Sequence, residues 1–449
     1  MDPRTTHRWS KYWILALGCF VLAALAGTAF RVGFTTGALP FELAFDNVRR
    51  AHSHLMFFSW VTPALMALMV SRLDRRLREG FGRPMEWVLG ANLVLGLCSF
   101  LPFALDGYKT TGVLGVEMPL SIIFSTASMF AWYAFAWLYW KRTRALRRDT
   151  TLALWDVAVV ALVVSSIGAW ARGALMGMGV EDVFLTDGAV HFFLGLFSDG
   201  WLGIALLGLV HDHLGVEMRG KRGWLTWLIV AGLPITFLLG MRSAIVPHEL
   251  RQMAALGGLM VGVGFVGHTV VLWRARRARS GLWRMVLVFL GLKGLAQMLF
   301  IVPAVAAWAE TAGLRIMYLH VLFLGAVSLG LVESARRTWG NVRPRHSRWM
   351  QAAVVGLLVT MLPTTGLWPP QLLGAYRLWI AAVGSLLPIA AAVWILAAQP
   401  KLLSTRPRNA RAQPTDEKTR RSPLDDHTHG ASSHLAASSS ESSGVVPHS

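Results

Sequence analysis

Arg49-Arg50-Ala51-His52-Ser53-His54-Leu55-Met56-Phe57-Phe58, running on through Pro63 to Met69, decides how the chain is read. It is an apolar run with two arginines and two histidines at its start. About 20 such residues suffice for a helix to cross the hydrocarbon core of a bilayer. Histidine inside such a span is costly and rare, so it marks a functional site. Helix positions two apart point to nearly opposite faces. His52 and His54 therefore cannot both serve one inward-facing site, and one of them faces something else.

Similar runs recur along most of the 449 residues, which are 54% hydrophobic and 15% charged, with 20 tryptophans. This excludes a soluble globular class and points to an all-α integral membrane protein. Spans are expected to begin near Tyr12, Arg50, Glu86, Gly115, Thr151, Val183, Gly223, Gln252, Leu282, Leu314, Arg348 and Ala375, which makes about twelve transmembrane helices. Every second loop is basic. Ser71 to Met85 holds Arg72, Arg75, Arg76, Arg78 and Arg83, and segments 141–148, 211–222, 274–284 and 336–348 repeat the pattern. By the positive-inside rule both termini are cytoplasmic, in the inner membrane of the cell. The organisation expected is a cytoplasmic N-terminus (1–11), a twelve-helix domain (12–398) and a disordered cytoplasmic tail (399–449) rich in Ser, Pro and His. The first apolar run, Tyr12 to Phe34, is too long for a signal peptide and reads as a retained span.

The net charge of +19 does not indicate nucleic acid, because Lys and Arg sit in short clusters that set topology. Cys19 and Cys98 both fall in apolar runs, so there is no disulfide framework and no Cys-x-x-Cys-His for covalent haem. No phosphate loop and no internal repeat is visible in the sequence.

Orientation assigns depth. His52 lies near the outer surface, His191 and His320 about two turns into the sixth and tenth spans, and His248 in the outer loop before the eighth. His268 is deeper, and His211 and His213 lie at the cytoplasmic end of the sixth span. Imidazole at this depth suits haem or copper, and two histidines on facing helices can hold a haem iron without any cysteine. The alternative is histidines that only hydrogen-bond between helices. Asp199 follows His191 by eight residues, about 80° round the helix and two turns deeper. It could relay protons inward with Lys293, mid-span in the ninth helix; alternatively Lys293 forms a buried pair with one of the aspartates, Asp199 or Asp156 near the start of the fifth. Arg49, Arg50, Arg315 and Arg377, on the outer side, suit either haem propionates or interfacial anchoring.

Ala51-His52, Met56, Phe57-Phe58 and Pro63-Ala64-Leu65 resemble the second helix of haem-copper oxidase subunit I, the large subunit of cytochrome c oxidases and nitric oxide reductases. His320 followed by Gly325-Ala326-Val327 resembles its tenth helix. The resemblance implies a bundle of that kind, with a low-spin b-type haem held by His52 and His320. It puts Tyr318 where the family ligates a high-spin haem, and His191 at a copper histidine. It implies electron transfer, or binding or reduction of O2 or NO, in a respiratory chain, with cytochrome c or a small electron-donor subunit as partner besides membrane lipid. The seventh span, Gly223 to Met241, lacks the family's pair of copper histidines. The copper site is therefore incomplete, and His248 with His191 is the remaining candidate for a second metal. A twelve-helix secondary transporter and a non-catalytic haem-binding sensor or assembly protein are the rival readings. Against the transporter, no matching pair of broken helices is present.

Overall fold

The structure is a computed structural model that describes residues 3–113, 115–218, 223–275, 281–369 and 371–399. The expected tail lies outside the described residues, apart from Gln399, as do parts of two of the basic loops.

The apolar runs form long helices. Among the described residues ten are long and apolar enough to cross a membrane, which makes this a multi-pass membrane protein. Numbered with two shorter companions, they are α1 (Pro3–Thr36), α2 (Phe45–Asp74), α3 (Gly82–Asp106), α4 (Leu120–Thr143), α5 (Thr150–Gly177), α6 (Val183–Leu214), α7 (Trp224–Gly240), α8 (His248–Trp273), α9 (Gly281–Leu299), α10 (Leu314–Trp339), α11 (Pro344–Met361) and α12 (Tyr376–Ala397). The companions are α7, which tightens to a 3₁₀ helix over Leu233–Gly240 after Pro234, and α11, which starts with Arg345 and Arg348.

Two expected boundaries are corrected. Helix α1 begins at Pro3, inside the segment expected to precede it. The fourth run does not begin at Gly115. A β-hairpin of β1 (Thr111–Val113) and β2 (Val116–Met118) occupies that stretch, and the helix starts after Pro119. Gly115 has φ +80°, which a turn accepts and a helix does not. Side chains fix other ends. Asp149 and Asp182 accept the first free N–H groups of α5 and α6, from Leu152 at 2.8 Å and Leu185 at 2.9 Å.

Three helices form the interior. The apolar windows of α2, α6 and α10 are 83%, 83% and 67% buried, more than any other span. Phe57 of α2 packs against Phe197 of α6 at 5.5 Å and Phe323 of α10 at 4.9 Å, so one ring from each meets at the centre. Trp60 Nε1 donates to Ser328 at 3.0 Å, and Trp201 Nε1 to Thr62 at 3.3 Å, which pins α2 to both partners. Each inner helix widens into a π-helical stretch: Leu55–Val61, Leu196–Gly203 and Val321–Ser328. Each stretch begins one to five residues after a histidine (His54, His191 and His320). Such segments are rare and often mark functional sites.

The inner helices are four apart in chain order, and three consecutive outer helices stand beside each gap between them. Helices α3, α4 and α5 flank the α2–α6 gap, α7, α8 and α9 the α6–α10 gap, and α11, α12 and α1 the α10–α2 gap. This repeat of four helices is structural and leaves no trace in the sequence. At the arginine-rich end the bundle is tied by charge. Arg72 and Arg76 both pair with Asp212, and Arg76 also meets Asp149 at 2.7 Å.

Candidate functional site

The three gaps are filled in three different ways. Between α2 and α6 the filling is aromatic. Trp132 lies 4.8 Å from Phe58 and 5.4 Å from Phe197, and its Nε1 donates to Asn92 at 3.1 Å. This gap is hydrophobic core.

Between α10 and α2 stand His52 and His320. Nδ1 of His52 lies 2.7 Å from the Ala23 carbonyl oxygen of α1. Nδ1 of His320 lies 2.8 Å from the Ile316 carbonyl oxygen, one turn back on its own helix. A carbonyl only accepts, so both Nδ1 atoms carry the proton and both Nε2 atoms carry a lone pair. That is the arrangement of histidines that bind metal through Nε2 while a backbone carbonyl fixes the ring. Nε2 of His52 has no hydrogen bond among the described residues. Nε2 of His320 accepts from Arg31 Nη2 at 3.0 Å. The two rings lie within electrostatic reach of each other and of Arg31.

Helix α1 forms the wall between them. Ala23, Gly27 and Arg31 follow at four-residue steps, so they share one face. Gly27 backs directly on to the His52 ring, where an added Cβ would lie 2.8 Å from Cε1. Arg31 also reaches Met361 Sδ of α11 at 3.1 Å and the Ala381 carbonyl of α12 at 3.4 Å. No carboxylate among the described residues pairs with it. The sequence reading passed over Arg31. Its signal was there, as a lone charge inside the apolar run Tyr12 to Phe34.

The other candidate residues are distributed elsewhere. His54 stacks on Phe103 of α3, with centroids 3.9 Å apart and planes 8° from parallel. Arg50 lies on that same face. It meets Asp46 at 3.7 Å and covers the Tyr108 ring at 4.9 Å. Arg50 is therefore turned away from the His52–His320 gap, because two residues of helix separate it from His52 by about 200°. His248 is exposed at the start of α8 and bonds Gln252 at 2.9 Å.

The gap between α6 and α10 holds the charges. At its mouth, Arg315 Nη2 lies 3.2 Å from Nδ1 and 3.0 Å from Nε2 of His191. Deeper, Lys293 Nζ of α9 meets Asp199 Oδ1 of α6 at 3.2 Å and donates to Gln297 at 2.7 Å. Gln297 Nε2 donates to Asp199 Oδ2 at 2.5 Å. Tyr318 of α10 lies within electrostatic reach of Asp199. His191 and His248 share no contact that brings them to one metal. The described residues contain no group of three or more His, Cys, Asp or Glu side chains that could hold a metal ion.

No protein-family model and no curated protein matches the chain. Among the described residues, the α10–α2 gap brings together two imidazoles with the same tautomer, the small residues Ala23 and Gly27 and a cation without a carboxylate. Such a set can take a planar, metal-centred, acidic ligand.

Proposed function

We propose that this chain holds one low-spin b-type haem between His52 and His320 and acts in electron transfer. In this reading it is a twelve-span protein of the cell's inner membrane, built like haem-copper oxidase subunit I. All of α1 to α12 cross the bilayer, and the arginine-rich end is cytoplasmic. The observation that carries the reading is the matched tautomer. Both imidazoles give Nδ1–H to a backbone carbonyl and leave Nε2 as the donor atom.

A bound haem supplies one-electron redox chemistry. The residues supply its setting. His52 and His320 would hold the iron through Nε2, and the Arg31 guanidinium, which bonds His320 here, would balance an acidic group of the haem, for which its planar fork is suited. Ala23 and Gly27 leave room for the His52 imidazole on the α1 side. Apolar helices exclude water, which favours a fixed potential. An electron donor, cytochrome c or a small subunit, approaches from the histidine end.

The test is the optical spectrum of the purified protein, oxidised and then dithionite-reduced. The wild type should show the sharp bands of a six-coordinate b-type haem. His52→Ala and His320→Ala should each lose them. A protein made with ample haem supply that carries none would overturn the reading.

A further inference from the structure

The α6–α10 gap is the one the resemblance assigns to a second haem and a copper ion, and its residues do not fit either. Lys293 is 0% exposed, and Asp199 and Gln297 are each 5% exposed. Together they close a ring. The ammonium meets Asp199 at 3.2 Å and Gln297 at 2.7 Å, and stands 3.6 Å above the Phe265 ring of α8. The carboxylate takes the charge of the ammonium at one oxygen and the hydrogen bond of the Gln297 amide at the other. A buried pair persists when its charges cancel, as these do, and Asp199 Oδ1 has the ion pair alone, with no hydrogen bond besides.

The donor set points the same way. Copper takes nitrogen or sulfur ligands. His191 stands at the mouth of this gap, with the Arg315 guanidinium 3.0 Å from its Nε2, while His211 and His268 bond each other at the opposite end. A metal cation there would face two protein cations, Arg315 and Lys293. Around the ring the outer helices close up. An added Cβ on Gly294 of α9 would lie 3.0 Å from the Gly262 carbonyl of α8, and on Gly325 of α10 it would meet the Phe289 ring at 2.7 Å.

We infer that Asp199, Lys293 and Gln297 take the place of a second cofactor, and that the chain works with a single haem as a one-electron carrier. This rests on the haem reading given above. Reduction of dioxygen or nitric oxide needs an iron with an open position beside a second metal. Here the only iron would be held on both sides by His52 and His320.

The experiment counts cofactors and probes the ring separately. On the full-length, haem-supplied protein, haem per chain, copper content and the carbon monoxide response of the reduced form are measured. One haem per chain, no copper and no shift with carbon monoxide is the result expected. Two haems, stoichiometric copper or a carbon monoxide complex would overturn the inference and leave the His52–His320 haem standing. No haem at all would overturn the earlier reading, and the ring is then read by stability. Lys293→Met strands a buried carboxylate and should lower the melting midpoint by roughly 3–5 °C. Adding Asp199→Leu should restore most of that loss. If the single variant fails to accumulate, recovery of yield in the double variant gives the same answer. A Lys293→Met protein that melts like the wild type would show that the ring does not hold the gap, and would overturn the inference.

Discussion

A guanidinium inside an apolar helix costs free energy unless something uses its charge. Arg31 bonds a histidine nitrogen, a thioether and a carbonyl, and none of these neutralises it. An acidic ligand in the α10–α2 gap would. If that ligand is haem, Arg31 favours the reduced iron, because reduction removes one positive charge. Arg31→Leu should therefore lower the midpoint potential. A charge about 10 Å away at an effective dielectric of about 20 contributes about 1–2 kcal/mol, or roughly 40–80 mV for one electron. A redox titration with an unchanged potential would place Arg31 outside the site. Helical spacing separated His52 from His54, and the resemblance of two stretches of sequence to a known family put forward His52 and His320 as the candidate pair. They could not tell which arginine serves the gap. Arg50 is two positions from His52 in sequence, yet the helical turn sends it to Tyr108. Arg31 is distant in sequence, yet packing brings it to His320.

At the scale of elements, the periodicity of apolar residues located the helices but not their pitch. The π-helical stretches set the rotation of each histidine relative to the helix below it. Deleting Leu324 from Val321–Ser328 would return α10 to ordinary pitch there and turn His320 by about 100° relative to the lower helix. The deletion should abolish haem binding in the full-length protein, while Leu324→Ala, which keeps the length, should retain it. Equal haem content in the two variants would show that the wide turn is not needed to aim His320. The same lack of pitch information hid the pairing of His211 with His268, whose ring nitrogens lie 3.0 Å apart although 57 residues separate them. The β-hairpin was missed for a related reason. Its residues lie beside an apolar run, and strands of three residues leave too little pattern to read.

At the scale of the molecule, the proposed orientation predicts which end of the bundle is reached from each side of the membrane. Arg72 and Arg76 converge on Asp212 at one end, while Phe41 stands 94% exposed at the histidine end. In a Cys98→Ser background, Glu79→Cys should react with an impermeant thiol reagent only from the cytoplasmic side, and Phe41→Cys only from the opposite side. The reverse pattern would invert the topology. The sequence by itself determined the class of the protein and the approximate places of its helices, because hydrophobic length acts locally along the chain. The tertiary structure alone decided that three inner helices create three unlike gaps: one filled by aromatic rings, one by the Asp199–Lys293–Gln297 ring, and one lined by His52, His320 and Arg31. Those fillings depend on contacts between residues far apart in the chain, 98 residues for Asp199 and Gln297 and 289 for Arg31 and His320, and no local pattern in a sequence records such contacts.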